Sequence, residues 1–241
     1  MRFAILGDVH GNLEALEAVL ADIEGQSVDE IDFLGDVVGY GAHPAECLDR
    51  VLETARVCVA GNHDWAVVGK TAFERFNKYA KQTIIWTADR IDFREKKALA
   101  SWPLTAKIDD IFLVHASPLS PESWHYIRDK TGIGAQFDAF DGRICFIGHT
   151  HVPAVWASDD SVTDIAPNMA LALDVGVRHI VNIGSVGQPR DRDPRACYVV
   201  FDEADYSVTF RRVKYDIASA AKAITDAGLP EYLAERLFLG K

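Results

Sequence analysis

The sequence predicts an α/β fold built on two sheets. In the first half of the chain, short runs rich in β-branched residues alternate with helical segments, giving three strand–turn–helix units. This alternation is typical of a largely parallel sheet covered by helices. The second half is dominated by closely spaced strands, which indicates hairpins and a second sheet. Hydrophobic residues make up 49% of the 241 residues, enough for a sizeable core, and we expect a single domain over residues 1–241.

The first unit consists of a buried strand, Arg2–Leu6, and a helix over Asn12–Glu24. Apolar residues recur in that helix at the spacing of one helical face, at Leu13, Leu16, Val19, Leu20 and Ile23. Two further strands are predicted at Glu30–Leu34 and Arg56–Ala60. Between them, Pro44 suits the first position of a helix that extends to about Thr54.

Segment 65–102 differs from the rest of the chain because it is helical and rich in aromatic residues, and we expect it to pack on the body of the domain. The strands predicted after it are Asp110–Val114, Arg143–Ile147, Ala154–Ala157, His179–Ile183, Ala196–Phe201 and Ser207–Val213. An amphipathic helix over Asp216–Ala227, ended by Gly228 and Pro230, precedes a short terminal helix.

The composition limits the classes of function. The formal net charge of −11 argues against a protein whose main task is to bind nucleic acid, since that task requires a basic surface. No segment approaches the roughly 18 unbroken apolar residues of a membrane helix. The N-terminal stretch before Asp8 is too short for a signal peptide, so we expect a cytoplasmic protein. The oligomeric state is left open.

Histidine, aspartate and asparagine recur where predicted strands end. The stretches 7–11, 61–64, 114–116 and 148–151 each contain such residues, and Gly35-Asp36 ends a further strand with a carboxylate. Because ligand sites in open α/β sheets form at the carboxyl ends of strands, we expect five strand ends to converge on one crevice. A single such residue is usually a turn or cap residue, but independent turns give no reason for histidine to recur there. His179 lies inside a strand-like run and is expected to be structural.

The converging side chains are two aspartates, an asparagine and several imidazoles, with no thiolate. These oxygen and nitrogen donors suit a site for Mn, Fe, Zn, Ni or Co. They do not match a structural zinc site of the cysteine type. Their number exceeds what one tetrahedral ion uses. A pair of divalent metal ions bridged by one carboxylate fits the set better.

The order of these motifs resembles that of the calcineurin-like metallophosphoesterases, in particular the small bacterial phosphoesterases. The family signature is D-x-H, G-D, G-N-H-[DE], a lone His and G-H-x-H. This chain contains Asp8 and His10, Gly35-Asp36, Gly61-Asn62-His63-Asp64, His115, and Gly148-His149-Thr150-His151. Each block alone is a weak motif, but five in the family order, over residues 8–151, are specific. The segment Gly184–Arg190 also resembles one common in small bacterial members.

The resemblance implies a four-layer α/β/β/α sandwich with two mixed sheets flanked by helices. It also implies the metal ligands: Asp8, His10, Asp36 and His151 for one ion, and Asp36, Asn62, His115 and His149 for the other, with Asp36 bridging. His63 would face the scissile phosphate as the candidate general acid. Asp64 is expected either to hold the other nitrogen of His63 or to cap the helix before Trp65.

The activity implied is hydrolysis of small phosphodiesters or phosphomonoesters by a hydroxide that bridges the two metals. Protein Ser/Thr phosphatases and dinucleoside tetraphosphatases of the family carry an Asp-Arg pair after the second Asp, where this chain has Val37-Val38. They also carry an Arg where this chain has Ala60. These differences count against both activities without excluding them.

The sequence leaves open the roles of two arginines and suggests two residues of the pocket wall. Arg190 or Arg192 is a candidate for the missing cation, and pairing with Asp191 or Asp193 is the alternative reading for either arginine. Tyr40 and His43 are expected to line the pocket. A non-catalytic protein-binding scaffold of the same fold and a metal-dependent nuclease are the remaining alternative functions.

Overall fold

The computed structural model describes residues 1–74, 76–161 and 163–241, and its strands form two sheets. The first sheet contains β1 (Arg2–Leu6), β2 (Glu30–Phe33), β3 (Val57–Cys58), β8 (Ala170–Ala172), β10 (Ala196–Asp202) and β11 (Ser207–Val213). The second contains β4 (Thr105–Ile108), β5 (Ile111–Val114), β6 (Ile144–Ile147), β7 (Ala154–Ala157) and β9 (His179–Asn182). The helices are α1 (Leu13–Glu24), α2 (Pro44–Thr54), α3 (Asn62–Val67), α4 (Lys78–Ala88), α5 (Phe93–Ser101), α6 (Ile133–Phe137), α7 (Ile217–Asp226) and α8 (Glu231–Leu239).

Both sheets are mixed, with a parallel part that carries the site. In the first sheet, of order β3-β2-β1-β10-β11-β8, the three strands from the N-terminal half run parallel and the other pairings are antiparallel. In the second sheet, of order β4-β5-β6-β9-β7, strands β5, β6 and β9 are parallel and the edge strands are antiparallel. The parallel strands end at one edge of each sheet, so the loops that follow them meet.

Alternation of side chains along the strands explains the layers. On β1, Phe3 and Ile5 pack against residues of the second sheet such as Phe146, whereas Ala4 and Leu6 pack against the helices on the opposite face. The outer face of the second sheet is covered by α6 and its neighbouring loops. Because successive side chains of a strand point to opposite faces, each sheet has one face on its partner and one on helices. The predicted four-layer sandwich is confirmed.

The aromatic segment and the last helices complete the helical layers. Helices α3 and α5 pack with α1 and α2 on the outer face of the first sheet, where Trp102 lies beside Phe33 at a ring separation of 5.9 Å. Helices α4, α7 and α8 form a separate apolar cluster that includes Tyr40. The aromatic segment is not helical throughout, since residues 68–77 connect α3 to α4 without a helix among the positions described.

The structure also corrects several element boundaries. Strand β3 ends at Cys58 rather than Ala60, because Ala60 already donates its N–H to the Pro103 carbonyl outside the sheet. Strands β4 and β8 were not predicted. Strand β8, with the sequence ALA, contains no β-branched residue, and the TAKI sequence of β4 has no continuous apolar run, so both give little strand signal. A single domain over residues 1–241 stays a prediction.

Candidate functional site

The residues predicted for the site lie together at the carboxyl ends of β1, β2, β3, β5 and β6. Each is buried, with at most 6% of its surface exposed: Asp8, His10, Asp36, Asn62, His63, Asp64, His115, His149 and His151. Convergence of five strand ends on one crevice, as predicted, is therefore observed. His179 lies apart as the first residue of β9, and it is buried.

Most of these positions have an unusual backbone. Six residues other than glycine adopt positive φ angles between 51° and 66°: Asp8, His10, Asp36, Tyr40, His149 and His151. This left-handed region is uncommon for such residues and costs on the order of 1 kcal/mol or more each. Backbone hydrogen bonds between loops hold the conformation, including Asp8 N to Gly35 O at 2.9 Å and His10 N to Asp36 O at 3.0 Å. The loops are therefore fixed by one another.

Close packing of two loops explains the glycine of the G-N-H-D motif. A Cβ atom at Gly61 would lie 2.1 Å from Asp36 Oδ1 and 2.4 Å from Asp36 N, so no larger residue fits without moving the Asp36 loop. The same approach lets His63 donate its backbone N–H to Asp36 Oδ1 at 2.8 Å. Gly61 thus allows the loops after β2 and β3 to share one carboxylate.

Four imidazoles of the site have their tautomers set by backbone carbonyls. A carbonyl only accepts a hydrogen bond, so the ring nitrogen beside it must carry the proton, and the other nitrogen keeps its lone pair when the ring is neutral. The pairs are His10 Nδ1 with Val38 O (3.0 Å), His115 Nδ1 with Leu34 O (2.7 Å), His151 Nδ1 with Gln188 O (2.6 Å) and His149 Nε2 with Trp124 O (3.0 Å).

The free nitrogens of these rings face one another. His10 Nε2 and His151 Nε2 are 3.2 Å apart, and His115 Nε2 and His149 Nδ1 are also 3.2 Å apart. Asp8 Oδ1 is buried without a hydrogen-bond donor, 3.2 Å from His151 Nε2. Lone pairs brought this close repel unless a positive charge lies among them. The cluster is thus a site for a cation or for an extra proton.

Three overlapping groups of these side chains have the geometry to hold a metal ion. The ligand atoms within each group lie within 4.8 Å of one another: Asp8, His10 and His151; His10, Asp36 and His63; and Asp36, His115 and His149. The first and third groups match the two ligand sets expected from the sequence, apart from the bridging and amide ligands. Asn62 Oδ1 lies 3.2 Å from His115 Nε2, beside the third group.

Electrostatics favours ionised carboxylates at the centre. Burial alone would raise the pKa of Asp8, but the surrounding histidines, His151 foremost, lower it well below its usual value. Burial likewise opposes the ionisation of Asp36, yet His115 and His63 lower its pKa. Burial would lower the pKa of His115, but the charge of Asp36 at 3.3 Å overcomes it and raises that pKa to about 9. Without a metal, the extra proton is therefore held by His115.

Asp64 does not contact the ring of His63, so the expectation that it holds the second nitrogen of His63 is wrong. Its Oδ2 accepts backbone N–H groups from Asp36 (2.7 Å) and Gly61 (2.9 Å), and its Oδ1 accepts from Val37 (3.0 Å) and Val38 (3.4 Å). The carboxylate caps α3 and fixes the loop that carries Asp36. Burial, followed by the charge of Asp36, raises the pKa of Asp64 to about 7.

His63 lies at the edge of the cluster, on a cavity. Its ring centroid is 4.7 Å from that of Tyr40 and 4.8 Å from that of His10, and its Nδ1 is buried without a partner. Burial lowers the pKa of His63 to about 3, so the ring is neutral at pH 7. The cavity beside it measures about 570 Å³ and is partly aromatic, with Phe76, Trp124 and Tyr126 in its wall.

Sequence reasoning missed residues that act through the main chain. The carbonyl partners of the imidazoles have no sequence signal, although Gln188 belongs to the Gly184–Arg190 segment that the motif comparison had singled out. Tyr126 stacks on His149 at 4.0 Å, and no sequence motif marks it. Tyr40 lines the cavity as expected. His43 does not line it, but lies in the wall of a separate small pocket with His10 and Tyr40, where its ring nitrogens are 3.8 Å from Glu14 and 3.6 Å from Glu46.

Neither Arg190 nor Arg192 forms an ion pair with Asp191 or Asp193. Those carboxylates are bound by Arg212 and by Arg195 respectively. Arg190 Nη2 instead donates to Gln188 Oε1 at 2.8 Å.

Comparison with known proteins identifies the family. A model of the calcineurin-like phosphoesterase superfamily domain matches residues 1–205. The chain belongs to the calcineurin-like phosphoesterase superfamily. Calcineurin-like phosphoesterases are metal-dependent, and the Asp and His groups described above are able to hold metal in this member.

Relatives match over the whole chain. The uncharacterized protein MJ0912 of Methanocaldococcus jannaschii is 40% identical over 99% of this chain and 98% of its own length. The crystal structure of a metallophosphoesterase from Sphaerobacter thermophilus is 41% identical with a TM-score of 0.90, covering 100% of this chain and 99% of that one. The hypothetical protein PH1004 of Pyrococcus horikoshii shares the fold at 20% identity and a TM-score of 0.81, covering 100% and 98%. Within the described part of this chain, no helix has the length and hydropathy needed to span a membrane.

Proposed function

We propose that this protein is a dinuclear-metal hydrolase of small phosphodiesters or phosphomonoesters. The observation that supports it best is the set of imidazole lone pairs and buried carboxylate oxygens that face one another at separations near 3.2 Å. The proposed ligands are Asp8, His10, Asp36 and His151 for one divalent ion, and Asp36, Asn62, His115 and His149 for the other. Two such ions would lower the pKa of a water molecule and neutralise charge on the phosphate.

The residues of the cluster suit a pair of divalent metal ions. Asp8 Oδ1 has no hydrogen-bond donor although it is buried, as expected for an oxygen whose partner is a cation. The carbonyls that hold the other ring nitrogens orient each imidazole, a common outer-shell arrangement around metal-binding histidines. The donors are oxygen and nitrogen only, which suits Mn, Fe, Zn, Ni or Co, and we take Mn as the test metal.

His63 is the proposed group that contacts the leaving-group oxygen. It lines the 570 Å³ cavity beside the cluster, so a phosphoester held at the cluster extends towards its ring. A neutral imidazole donates one hydrogen bond and stabilises charge on the ester oxygens. Transfer of a proton requires the imidazolium form, and the negative charge of a bound phosphate favours that form by raising the pKa from about 3. Asp64 acts as a positioning residue by holding the Asp36 loop.

The cavity limits the size of the substrate. Its wall contains His63 and His149 together with aromatic side chains, so the leaving group or second ester group would lie against Phe76, Trp124 and Tyr126. A volume of about 570 Å³ accommodates a small molecule. We therefore favour small phosphoesters over a phosphoprotein.

The test is a metal-reconstituted assay. Protein stripped of metal and reloaded with Mn is assayed on 4-nitrophenyl phosphate and bis(4-nitrophenyl) phosphate, and bound metal is counted by mass spectrometry. We expect two ions per chain, metal-dependent turnover, and a loss of about 10²- to 10⁴-fold in His63→Ala. His43→Gln, which alters a histidine outside the cluster, serves as the control and should retain activity.

Equal turnover by His63→Ala and the wild type would contradict the role given to His63. Absence of turnover in protein that holds two metals would favour the alternative of a protein-binding scaffold.

A further inference from the structure

A second cavity lies beside the first. It measures about 330 Å³, and its wall contains Arg128 and Arg190 together with Thr150, which lies between two histidines of the cluster. Tyr126 lines both cavities and stacks on His149 at 4.0 Å, so the two cavities are neighbours. No acidic residue lines this cavity among the positions described.

The two arginines have no carboxylate partner within the described ranges. The Arg128 guanidinium lies over the Tyr126 ring at 4.6 Å, and the hydrogen bond found for the Arg190 side chain goes to the amide oxygen of Gln188. Arg190 Nε is buried without an acceptor. A buried guanidinium N–H without an acceptor is uncommon, because leaving a charged donor unsatisfied is costly. In a chain of net charge −11, two unpaired arginines in one cavity indicate a site for an anion.

A third arginine adds to the positive potential. Tyr40 lies 5.8 Å from the Arg190 guanidinium and packs in the same apolar cluster as Leu233 and Leu237 of α8, the helix that carries Arg236. The end of that helix is tied to the loop after Arg190 by a hydrogen bond from Arg192 N to Gly240 O at 2.8 Å. After burial, the charge of Arg190 is the main cause that lowers the pKa of Arg236. The two guanidinium groups are therefore close enough to repel each other, and of the two only Arg190 lines the cavity.

The cavity is coupled directly to the histidine cluster. Arg190 N donates to the His151 carbonyl at 3.1 Å, and His151 Nδ1 donates to the Gln188 carbonyl at 2.6 Å. A ligand with one end at the cluster therefore needs only a short connection to reach Arg190.

We propose that the cavity lined by Arg128 and Arg190 binds a second phosphate group of the substrate, so the preferred substrates are phosphoesters that carry a further phosphate. This inference rests on the proposed hydrolase function. Two guanidinium groups suit a phosphate dianion because each presents parallel N–H donors that match phosphate oxygens.

The first experiment compares two chromogenic substrates with the same scissile bond. They are thymidine 5′-(4-nitrophenyl phosphate) and its 3′-phosphorylated form. We expect the wild type to prefer the second by about tenfold or more in kcat/KM, as one or two charge-assisted hydrogen bonds allow. Arg128→Gln and Arg190→Gln should each remove most of that preference.

Arg90→Gln is the matched control, because Arg90 is exposed, also lacks an ion pair in the part of the chain described, and bonds to the Trp86 carbonyl of its own helix. This variant removes one positive charge without altering the cavity, so its preference should equal that of the wild type. Equal use of both substrates by the wild type, or a preference that survives Arg128→Gln and Arg190→Gln, would overturn the inference and leave the hydrolase function standing.

A second readout does not depend on turnover. Metal-free protein labelled with ¹⁵N is titrated with inorganic phosphate, and the arginine Nε–H signals are followed by NMR. The Arg190 signal is assigned by its loss in Arg190→Gln, and we expect it to shift saturably. A shifted Arg190 signal with no turnover of either substrate would mean that the hydrolase function fails and the anion site stands. An Arg190 signal that does not respond to phosphate would refute the anion site.

Discussion

Replacing Asp64 by asparagine tests whether this carboxylate holds the site together. In the structure each of its oxygens accepts two backbone N–H groups, one pair from Val37 and Val38 and the other from Asp36 and Gly61. An asparagine amide can accept only one of these pairs, and its NH₂ group points donors at the other. Two buried N–H groups then lack an acceptor, at about 1–3 kcal/mol each, so we expect a loss of about 2–6 kcal/mol in the free energy of unfolding.

The pH dependence of stability gives an independent check on the same residue. Burial raises the pKa of Asp64 to about 7, above its value in the unfolded chain, so the folded state binds this proton more tightly. The contribution of Asp64 to stability is therefore fully present below about pH 4 and falls as the pH rises to 7. The free energy of unfolding of the Asp64→Asn protein should lack this decrease between about pH 4 and pH 7.

Urea unfolding in the presence of a chelator, followed by circular dichroism, measures both effects. Asp216→Asn is the control, since Asp216 accepts a backbone N–H at the exposed N-terminus of α7, where asparagine caps equally well. We expect its unfolding midpoint to equal that of the wild type. An unchanged midpoint in Asp64→Asn would refute the hydrogen-bond argument. If turnover nonetheless fell, a direct action of Asp64 on His63 would have to be reconsidered.

Two further predictions concern His63 and the metal ligands. Gly39→Ala should lower turnover at least about tenfold without changing metal content, because Gly39 has φ +91° and an added Cβ would lie 2.4 Å from His63 Nδ1. Wild-type kinetics in this variant would contradict the described position of His63. Metal binding should strengthen by up to about tenfold per pH unit between pH 7 and 9, because His115, with its pKa raised to about 9, must first release a proton. Competition with a fluorescent chelator measures the affinity, and pH-independent binding would argue against His115 as a ligand.

The positions of the site could be predicted because two separate patterns agree. Short buried strands are evident from β-branched runs, and the polar residues that end them stand beside glycines such as Gly35 and Gly61. Because the strands are parallel, their carboxyl ends lie at the same edge of a sheet. The proximity of Asp8, Asp36 and His115 therefore follows from the topology. Strand β8 was missed because its three residues include no β-branched one, and β4 because its TAKI sequence has no continuous apolar run.

Contacts through the main chain could not be predicted. Asp64 follows His63 directly, and the sequence offered two roles for it, at the ring of His63 or at the helix start. Four backbone N–H groups compete for its oxygens in the folded protein, and the choice depends on φ and ψ angles of residues 36–38 that the sequence does not specify. The same holds for the carbonyls of Leu34 and Gln188, whose residue types are irrelevant to their action.

The backbone conformation and the imidazole tautomers are two parts of one arrangement. Left-handed φ angles at Asp8, His10, Asp36, His149 and His151 turn these side chains inward, and the carbonyl hydrogen bonds then fix which ring atoms face the centre. Both features are unfavourable in isolation, because they combine local strain with repulsion between lone pairs. They persist because the interlocked loops and the sandwich core hold them. A cation at the centre relieves the repulsion without any movement of the loops, so metal binding should stabilise the folded state rather than reshape it.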